Sequence, residues 1–256
     1  MDTNLKELLD MKVETYERPE FIEPDPISIP HRYSRRQDVE ITGFLAATIA
    51  WGNRKAIVKS AGRMADMLGA DPYDFVMTAS DADIERLSTF VYRTFQKDDL
   101  PSLVRGLRSI YTANPDGGME ALIAPRQGET LREGFVRLRE ALLPHLAERT
   151  RKHIADAGRG AAAKRLCMFT RWMARPATRG VDFGLWTTIS PSDLVMPLDV
   201  HSGRTARALG LLSRRQDDWK AATELTQALK AFCPEDPVRY DFALFSIGIT
   251  EGGLNP

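Results

Sequence analysis

Residues 40–68 read EITGFLAATIAWGNRKAIVKSAGRMADML, and the spacing inside this stretch decides the fold class. Ile41, Phe44, Leu45 and Thr48 stand at i, i+3, i+4 and i+7. That interval puts all four on one face of a helix, whereas a strand would divide them between its two faces. The same period returns in Leu131, Phe135, Leu138, Leu142 and Leu146, and again in Trp219, Ala222, Leu225, Leu229 and Phe232. Asp71-Pro72, Ser190-Pro191 and Asp236-Pro237 each set a capping side chain before a proline suited to the first helical position. Strand signals are scarce, so the pattern predicts an all-α protein. Two stretches lack a helical period. PEFIEPDPISIP, residues 19–30, is rich in proline and acid and is expected to be an extended arm. Residues 176–198 are expected to be a hairpin or loop between two helices.

The chain has 256 residues, 43 % hydrophobic and 27 % charged, which is long enough for a sizeable core and too apolar for disorder. Its 35 basic and 35 acidic residues cancel, which excludes a uniformly basic coat but leaves room for local patches. Residues 1–30 carry a net charge of −5, whereas residues 149–179 hold nine Lys/Arg against Asp156 alone. Arg204, Arg207, Arg214 and Arg215 follow with no acid among them. Two readings stay open here: a solvated face balanced by the acidic arm, or a phosphate-binding surface. Cys167 and Cys233 are too few for a disulfide framework, a four-cysteine zinc site or an all-cysteine iron–sulfur cluster. The opening MDTNLKELLD lacks the apolar stretch of a signal peptide, and no run of about 18 apolar residues exists. The expectation is a reduced, cytoplasmic protein without a membrane partner.

Four places hold candidate chemistry. In KRLCMFTRWMAR, residues 164–175, helical phasing puts Leu166, Phe169 and Met173 on a core face and Lys164, Met168, Arg171 and Arg175 on the opposite stripe. A surface lysine is ordinarily just solvated. In a partly dry cleft beside Arg171 and Arg175, Lys164 would lose proton affinity and become an amine nucleophile. In MPLDVHSGRTARALGL, residues 196–211, Asp199 reads as the cap of a helix, and the same carboxylate could face a cleft. The N–H groups from Val200 to Gly203 would then suit a phosphate, with Arg204 adding charge. His201 reads equally as a packed histidine or a ligand, and no zinc pattern surrounds it. Trp51, Gly52, Asn53 and Arg54 come near a helix break; Trp51 is core or, with Asn53 and Arg54, braces a nucleic acid. In DPVRYDFALFSIGI, residues 236–249, Asp241 stands one turn before Phe245, and an acid in so apolar a helix must be paired, protonated or used.

These places, in this order, resemble the helix-hairpin-helix DNA glycosylase superfamily. LDVHSGRTARALGL is similar to that superfamily's Val-Asp-Thr-His segment, whose aspartate is catalytic and starts a helix; Asp199 matches it. EITGFLAATIAWGNRKAIV resembles the first helix pair of the endonuclease III relatives. Nearly the whole chain resembles more closely a bacterial domain-of-unknown-function family, through DVEITGFLAATIAWGNRK, RWMARP, VMPLDVHSGR and DPVRYDFALFSIG. Bifunctional glycosylases mostly carry a lysine in the hairpin about twenty residues before the aspartate, where this chain has Arg179 and no lysine; ARPATRGVDFG is a degenerate form of the hairpin. An archaeal 8-oxoguanine glycosylase branch instead carries its lysine on the preceding helix, which Lys164 resembles. The resemblance to that branch implies a base pocket at Met168, Arg171, Asp241 and Phe245.

The expected architecture is thus a two-lobed, all-α, helix-hairpin-helix glycosylase-like fold. Residues 1–37 and 200–256 would form one lobe, and residues 38–199, with the degenerate hairpin at 176–198, the other. A central cleft would hold a base flipped from double-stranded DNA. The resemblance implies a glycosylase and abasic-site lyase acting on an oxidised purine such as 8-oxoguanine. Lys164 would be its nucleophile and Asp199 its stabilising carboxylate. Trp51 and Asn53 would join the base pocket, and Arg54, Arg175, His201, Gly203 and Arg204 would contact phosphates. The hairpin carbonyls could take a monovalent cation; no metal, organic cofactor or iron–sulfur cluster is expected, and the protein would be a monomer. The alternative is a catalytically inactive DNA-binding protein of the same fold that recognises modified bases or DNA ends.

Overall fold

The computed structural model describes residues 3–250, with side chains to residue 248. In chain order its α-helices are α1 (Thr3–Tyr16), α2 (Arg36–Thr48), α3 (Arg54–Leu68), α4 (Pro72–Thr78), α5 (Asp81–Arg86), α6 (Asp99–Ala113), α7 (Glu120–Ile123), α8 (Leu131–Leu142), α9 (Lys164–Ala174), α10 (Val200–Ala208), α11 (Trp219–Lys230) and α12 (Asp241–Thr250). Among the described residues there is no strand beyond two isolated bridges, Tyr92 with Phe95 and Ala161 with Asp218. The fold class is all-α. Among the described residues no helix is long and apolar enough to cross a membrane.

The chain divides into two units, one of residues 1–21 with 157–256 and one of residues 22–156. This division falls elsewhere than the expected boundaries at residues 37 and 200. The physical reason is charge pairing: Arg175, at the end of α9, is held by Glu17 after α1 and by Asp236 before α12. These partners are distant in sequence and tie α9 to the chain ends.

In the unit of residues 22–156, α2 is buried on nearly every face, Asp38 and Glu40 included. Glu40 is satisfied there by the Tyr111 hydroxyl at 2.8 Å and by Arg36 Nε at 2.8 Å. Helix α6 packs against α8, with Gly106 of α6 close to Leu142, and Leu103, Leu107, Leu138 and Leu142 are all fully buried. Thr130 and Glu133 close a capping box at the start of α8. Gly134 lets α8 lie against α7, because a Cβ there would stand 1.9 Å from the Ile123 carbonyl oxygen. The expected extended arm is folded instead. Asp25 accepts from the Ile27 N–H and Pro26 opens a tight turn, so that Ile27 and Ile29 enter the core. Proline at a first helical position and an Asp before it made a start signal inside the segment that its acidity obscured.

In the other unit, α12 packs against α1 and α10. Asp218 caps α11 through the Ala221 N–H. Residues 176–198 run irregularly, with short turns at Ala177–Arg179 and Pro191–Asp193. The Phe183 and Trp186 N–H groups bond back to the Trp172 and Met173 carbonyls at the end of α9. Val181, Trp186, Leu194, Met196 and Leu198 are buried along the segment, which fixes it in place.

Candidate active site

The site is built on one face of α9. Lys164, Cys167, Met168 and Arg171 follow at i, i+3, i+4 and i+7, so they line one stripe. Lys164 is the first residue of the helix. The residue before it, Ala163, sits in the left-handed region at φ 51°, ψ 32° and offers no capping side chain. That conformation strains any residue with a Cβ, and strain of this kind is sustained only where surrounding packing imposes it.

Asp199 is the cap of α10, as its place before VHSGR suggested, and its two carboxylate oxygens do different things. Oδ1 accepts from the His201 and Ser202 N–H groups, both at 2.9 Å, and Ser202 returns a bond to the Asp199 N–H in a full capping box. Oδ2 lies 2.5 Å from Lys164 Nζ. The helix start therefore fixes the carboxylate, and the remaining oxygen is aimed at the amine. Burial opposes the charge on Asp199, but the Lys164 ammonium and the two backbone N–H groups outweigh it, and its pKa falls below the ordinary value of 3.8. Both side chains keep about a third of their surface open, 35 % for Lys164 and 30 % for Asp199.

Two turns further along α9, Arg171 forms a second ion pair with Asp241, the first residue of α12. Arg171 Nε also lies 3.5 Å from Asp182 Oδ1. Burial pushes the Asp241 pKa up; Arg171 and Lys164 oppose the rise, while Asp199 and Asp182 add to it. The five groups thus form one electrostatic cluster. Cys167, between them on α9, is buried, and burial with Asp241 nearby pushes its thiol pKa up, so it is no thiolate at neutral pH. Phe242 lies beneath both arginines, its ring centroid 4.5 Å from the Arg171 guanidinium and 5.7 Å from that of Arg175. Phe245 packs edge-on to Phe21 at 6.0 Å. Met168 is half-buried.

Several sequence expectations need correction. Arg175 contacts no open surface: it is buried among Glu17 at 2.7 Å, Asp182 at 2.5 Å and Asp236 at 2.8 Å. Arg171 is likewise buried and committed to carboxylates. Neither guanidinium is a bare cation facing Lys164: both are paired with carboxylates, and Asp199 faces the lysine. The start of α10 is not an open phosphate site. Asp199 already occupies the His201 and Ser202 N–H groups, the Gly203 N–H bonds the Asp199 carbonyl, and Gly203 lies buried beneath the Arg207–Asp217 pair. His201 and Arg204 are exposed on that helix. Trp51, Asn53 and Arg54 belong to the other unit and have structural partners there. Trp51 stacks on His153 at 5.4 Å, Asn53 caps α3 through the Ala56 N–H, and Arg54 pairs with Asp25. In residues 176–198, offered to a monovalent cation, the Ala177, Ser190 and Pro191 carbonyls accept from N–H groups within the segment, and the Phe183 and Trp186 N–H groups anchor it to α9.

Asp182 was missed. It is the one acid between Asp156 and Asp193, just after the basic stretch of residues 149–179, and that isolation was the available signal. Ala163 could not have been found, because nothing in GAAAK announces a left-handed alanine. Among the described residues no three His, Cys, Asp or Glu side chains gather as a metal ion would require.

A family model described as a protein of unknown function, DUF2400, matches residues 25–250. The chain belongs to the DUF2400 family. No curated protein and no solved structure matches it. The match runs through both units and takes in Lys164, Asp182, Asp199 and Asp241, so the cluster on α9 lies wholly within the DUF2400 region.

Proposed function

We propose that this DUF2400 protein is a DNA base-excision glycosylase with abasic-site lyase activity, of the helix-hairpin-helix type, acting on an oxidised or damaged purine such as 8-oxoguanine. The observation that carries the reading is the 2.5 Å contact between Lys164 Nζ and Asp199 Oδ2, an amine and a carboxylate each about one-third open to solvent. Such a pair suits amine catalysis at a sugar. The unprotonated Nζ of Lys164 attacks the anomeric carbon with its lone pair while the bond from that carbon to the base nitrogen breaks and the base leaves with the bonding electrons. Asp199 Oδ2 then takes the proton that the newly bonded nitrogen sheds and passes it to the departing base. Ring opening gives an imine between Lys164 and the sugar, and elimination of the 3′ phosphate cuts the strand. While the glycosidic bond breaks, the Asp199 carboxylate offsets the positive charge developing on the sugar.

An imine is reduced by borohydride to a stable bond, which supplies the test. With duplex DNA containing 8-oxoguanine, borohydride should trap a protein–DNA adduct that Lys164→Gln abolishes. Asp199→Asn should slow base release strongly and leave DNA binding in place, because it removes stabilisation of the transition state rather than of the bound ground state. A panel of oxidised and alkylated purines that yields no free base and no adduct overturns the reading. Duplex binding without any adduct would favour the catalytically silent DNA-binding protein, for which the hairpin segment 176–198, with Arg179 and no lysine, is the supporting feature.

A further inference from the structure

The turn at residues 91–95, in the unit of residues 22–156, gathers three guanidinium groups. Tyr92 and Phe95 bridge across it, with reciprocal backbone bonds of 2.9 and 2.8 Å. Arg93, inside the turn, is left-handed at φ 53° although it carries a long side chain. Its guanidinium lies against Gly52, whose own φ is 100°; a Cβ at Gly52 would stand 2.4 Å from Arg93 Nη1. Arg63 Nη2 donates to the Val91 carbonyl at 2.8 Å and lies over the Phe90 ring. Arg149 Nη2 donates to the Thr94 carbonyl at 3.3 Å. Arginines therefore surround the turn, two of them bonded to its backbone, and Arg63, Arg93 and Arg149 are all exposed.

Carboxylates do little to neutralise this ring. Among the described residues neither Arg63 nor Arg93 has a carboxylate within salt-bridge distance, and Arg149 reaches only the buried Asp99, at 3.8 Å. Asp99 is already engaged by His153 at 3.1 Å and Thr150 at 2.6 Å. Exposed Lys97, Arg151 and Lys152 lie in the same two chain segments, with Asp98 and Glu148 as their surface acids. Glycine would hold the Arg93 backbone without strain, so the arginine is explained by its side chain rather than by the turn.

We propose that the 91–95 turn and Arg63, Arg93 and Arg149 form a contact surface for the phosphate backbone of duplex DNA. Two of these planar guanidiniums are held by backbone carbonyls and all three are exposed, which leaves N–H donors for phosphodiester oxygens. A membrane surface would need apolar insertion beside the charge, and Val91 is the single exposed large hydrophobic residue described in this unit. The choice of DNA among polyanions rests on the glycosylase reading above. The surface also relocates the expected phosphate binding from Arg175 and the α10 start to the segment around Arg149.

The test uses the full chain, a labelled undamaged duplex and a salt titration. Removing one arginine–phosphate pairing should reduce the slope of log affinity against log salt by about 0.9. Arg93→Gly should lower the slope by one such step while holding or raising Tm, since glycine relieves the left-handed strain. Arg149→Gln should lower it by a second step of the same size, and Arg86→Gln, at the exposed end of α5, should leave it unchanged. An unchanged slope in both Arg93→Gly and Arg149→Gln overturns the surface, as does tighter binding of phosphatidylserine vesicles than of duplex at the same salt. The two readings fail separately. A Lys164-dependent adduct with unaltered slopes sinks the surface alone; slopes that respond to Arg93 and Arg149 with no adduct on any lesion sink the glycosylase alone.

Discussion

Helix α9 carries two cation–carboxylate pairs two turns apart, and they behave in opposite ways. Lys164 meets Asp199 at the start of α10; Arg171 meets Asp241 at the start of α12. The first pair is about one-third exposed, and its carboxylate is also fixed by two backbone N–H groups, so its pKa falls. The second is mostly buried, with 4 % of the Arg171 side chain and 16 % of that of Asp241 exposed; its arginine is shared with Asp182, and the pKa of Asp241 rises. Both pairs join the same helix to a neighbouring helix start, yet burial and the number of donors push the two acids apart.

The largest difference between them should appear in stability. Arg171→Met leaves the mostly buried Asp241 without its guanidinium, while Asp182 keeps Arg175, and should destabilise the protein by about 3 kcal/mol. Lys164→Met breaks a pair open to water and should cost less than about 1 kcal/mol. Urea unfolding of the two variants measures the contrast; equal losses would mean that the Lys164 pair is structural. The next effect in size concerns the cap. Asp199→Ala should lose about 1–2 kcal/mol through the α10 capping box, whereas Asp199→Asn, which can still cap, should lose only a few tenths. A large loss in Asp199→Asn would show that the charge on Lys164, and not the helix start, holds this residue.

The first pair was far more legible in the sequence than the second. Asp199 stands directly before a helical pattern, and a cap is a local signal. The choice of Lys164 came from resemblance, since helical phase alone placed it beside Met168, Arg171 and Arg175 on one stripe, where a lysine is ordinarily just solvated. Phase failed for the two arginines because their partners, Glu17, Asp182, Asp236 and Asp241, arrive from three other segments, and burial by ion pairing leaves no apolar period. The helical class was readable because hydrophobic spacing is local. The division into units was not, because it depends on those same long-range pairs. The 91–95 turn was invisible for a related reason: left-handed Arg93 occupies a position where a reader looks for glycine.

Acid titration sharpens the comparison further, with opposite signs on either side of pH 3.8. Asp199 has a depressed folded pKa, so its contribution to stability is present above 3.8 and is lost as pH falls through the lower folded value. Asp241 has a raised folded pKa, so its contribution is present below 3.8 and is lost as pH rises through the higher folded value. Relative to the unmodified protein, Asp241→Asn should therefore gain stability as pH rises above 3.8. The deficit of Asp199→Asn should shrink as pH falls below it. Parallel pH profiles for the two variants would contradict the opposed environments.

The smallest effect concerns Ala163, the left-handed residue that starts the Lys164 pair and has no counterpart beside Arg171. Glycine adopts that conformation without strain, so Ala163→Gly should raise stability by up to about 1 kcal/mol. If the strained alanine fixes the first turn of α9, and with it the approach of Nζ to Asp199 Oδ2, the same substitution should slow formation of the borohydride-trapped adduct even as Tm rises. Greater stability with slower trapping identifies the left-handed alanine as a positioning residue for Lys164. Greater stability with unchanged trapping leaves it an ordinary strained turn. A loss of stability would mean that the packing around the α9 start, rather than the backbone angle, sets the position of the lysine.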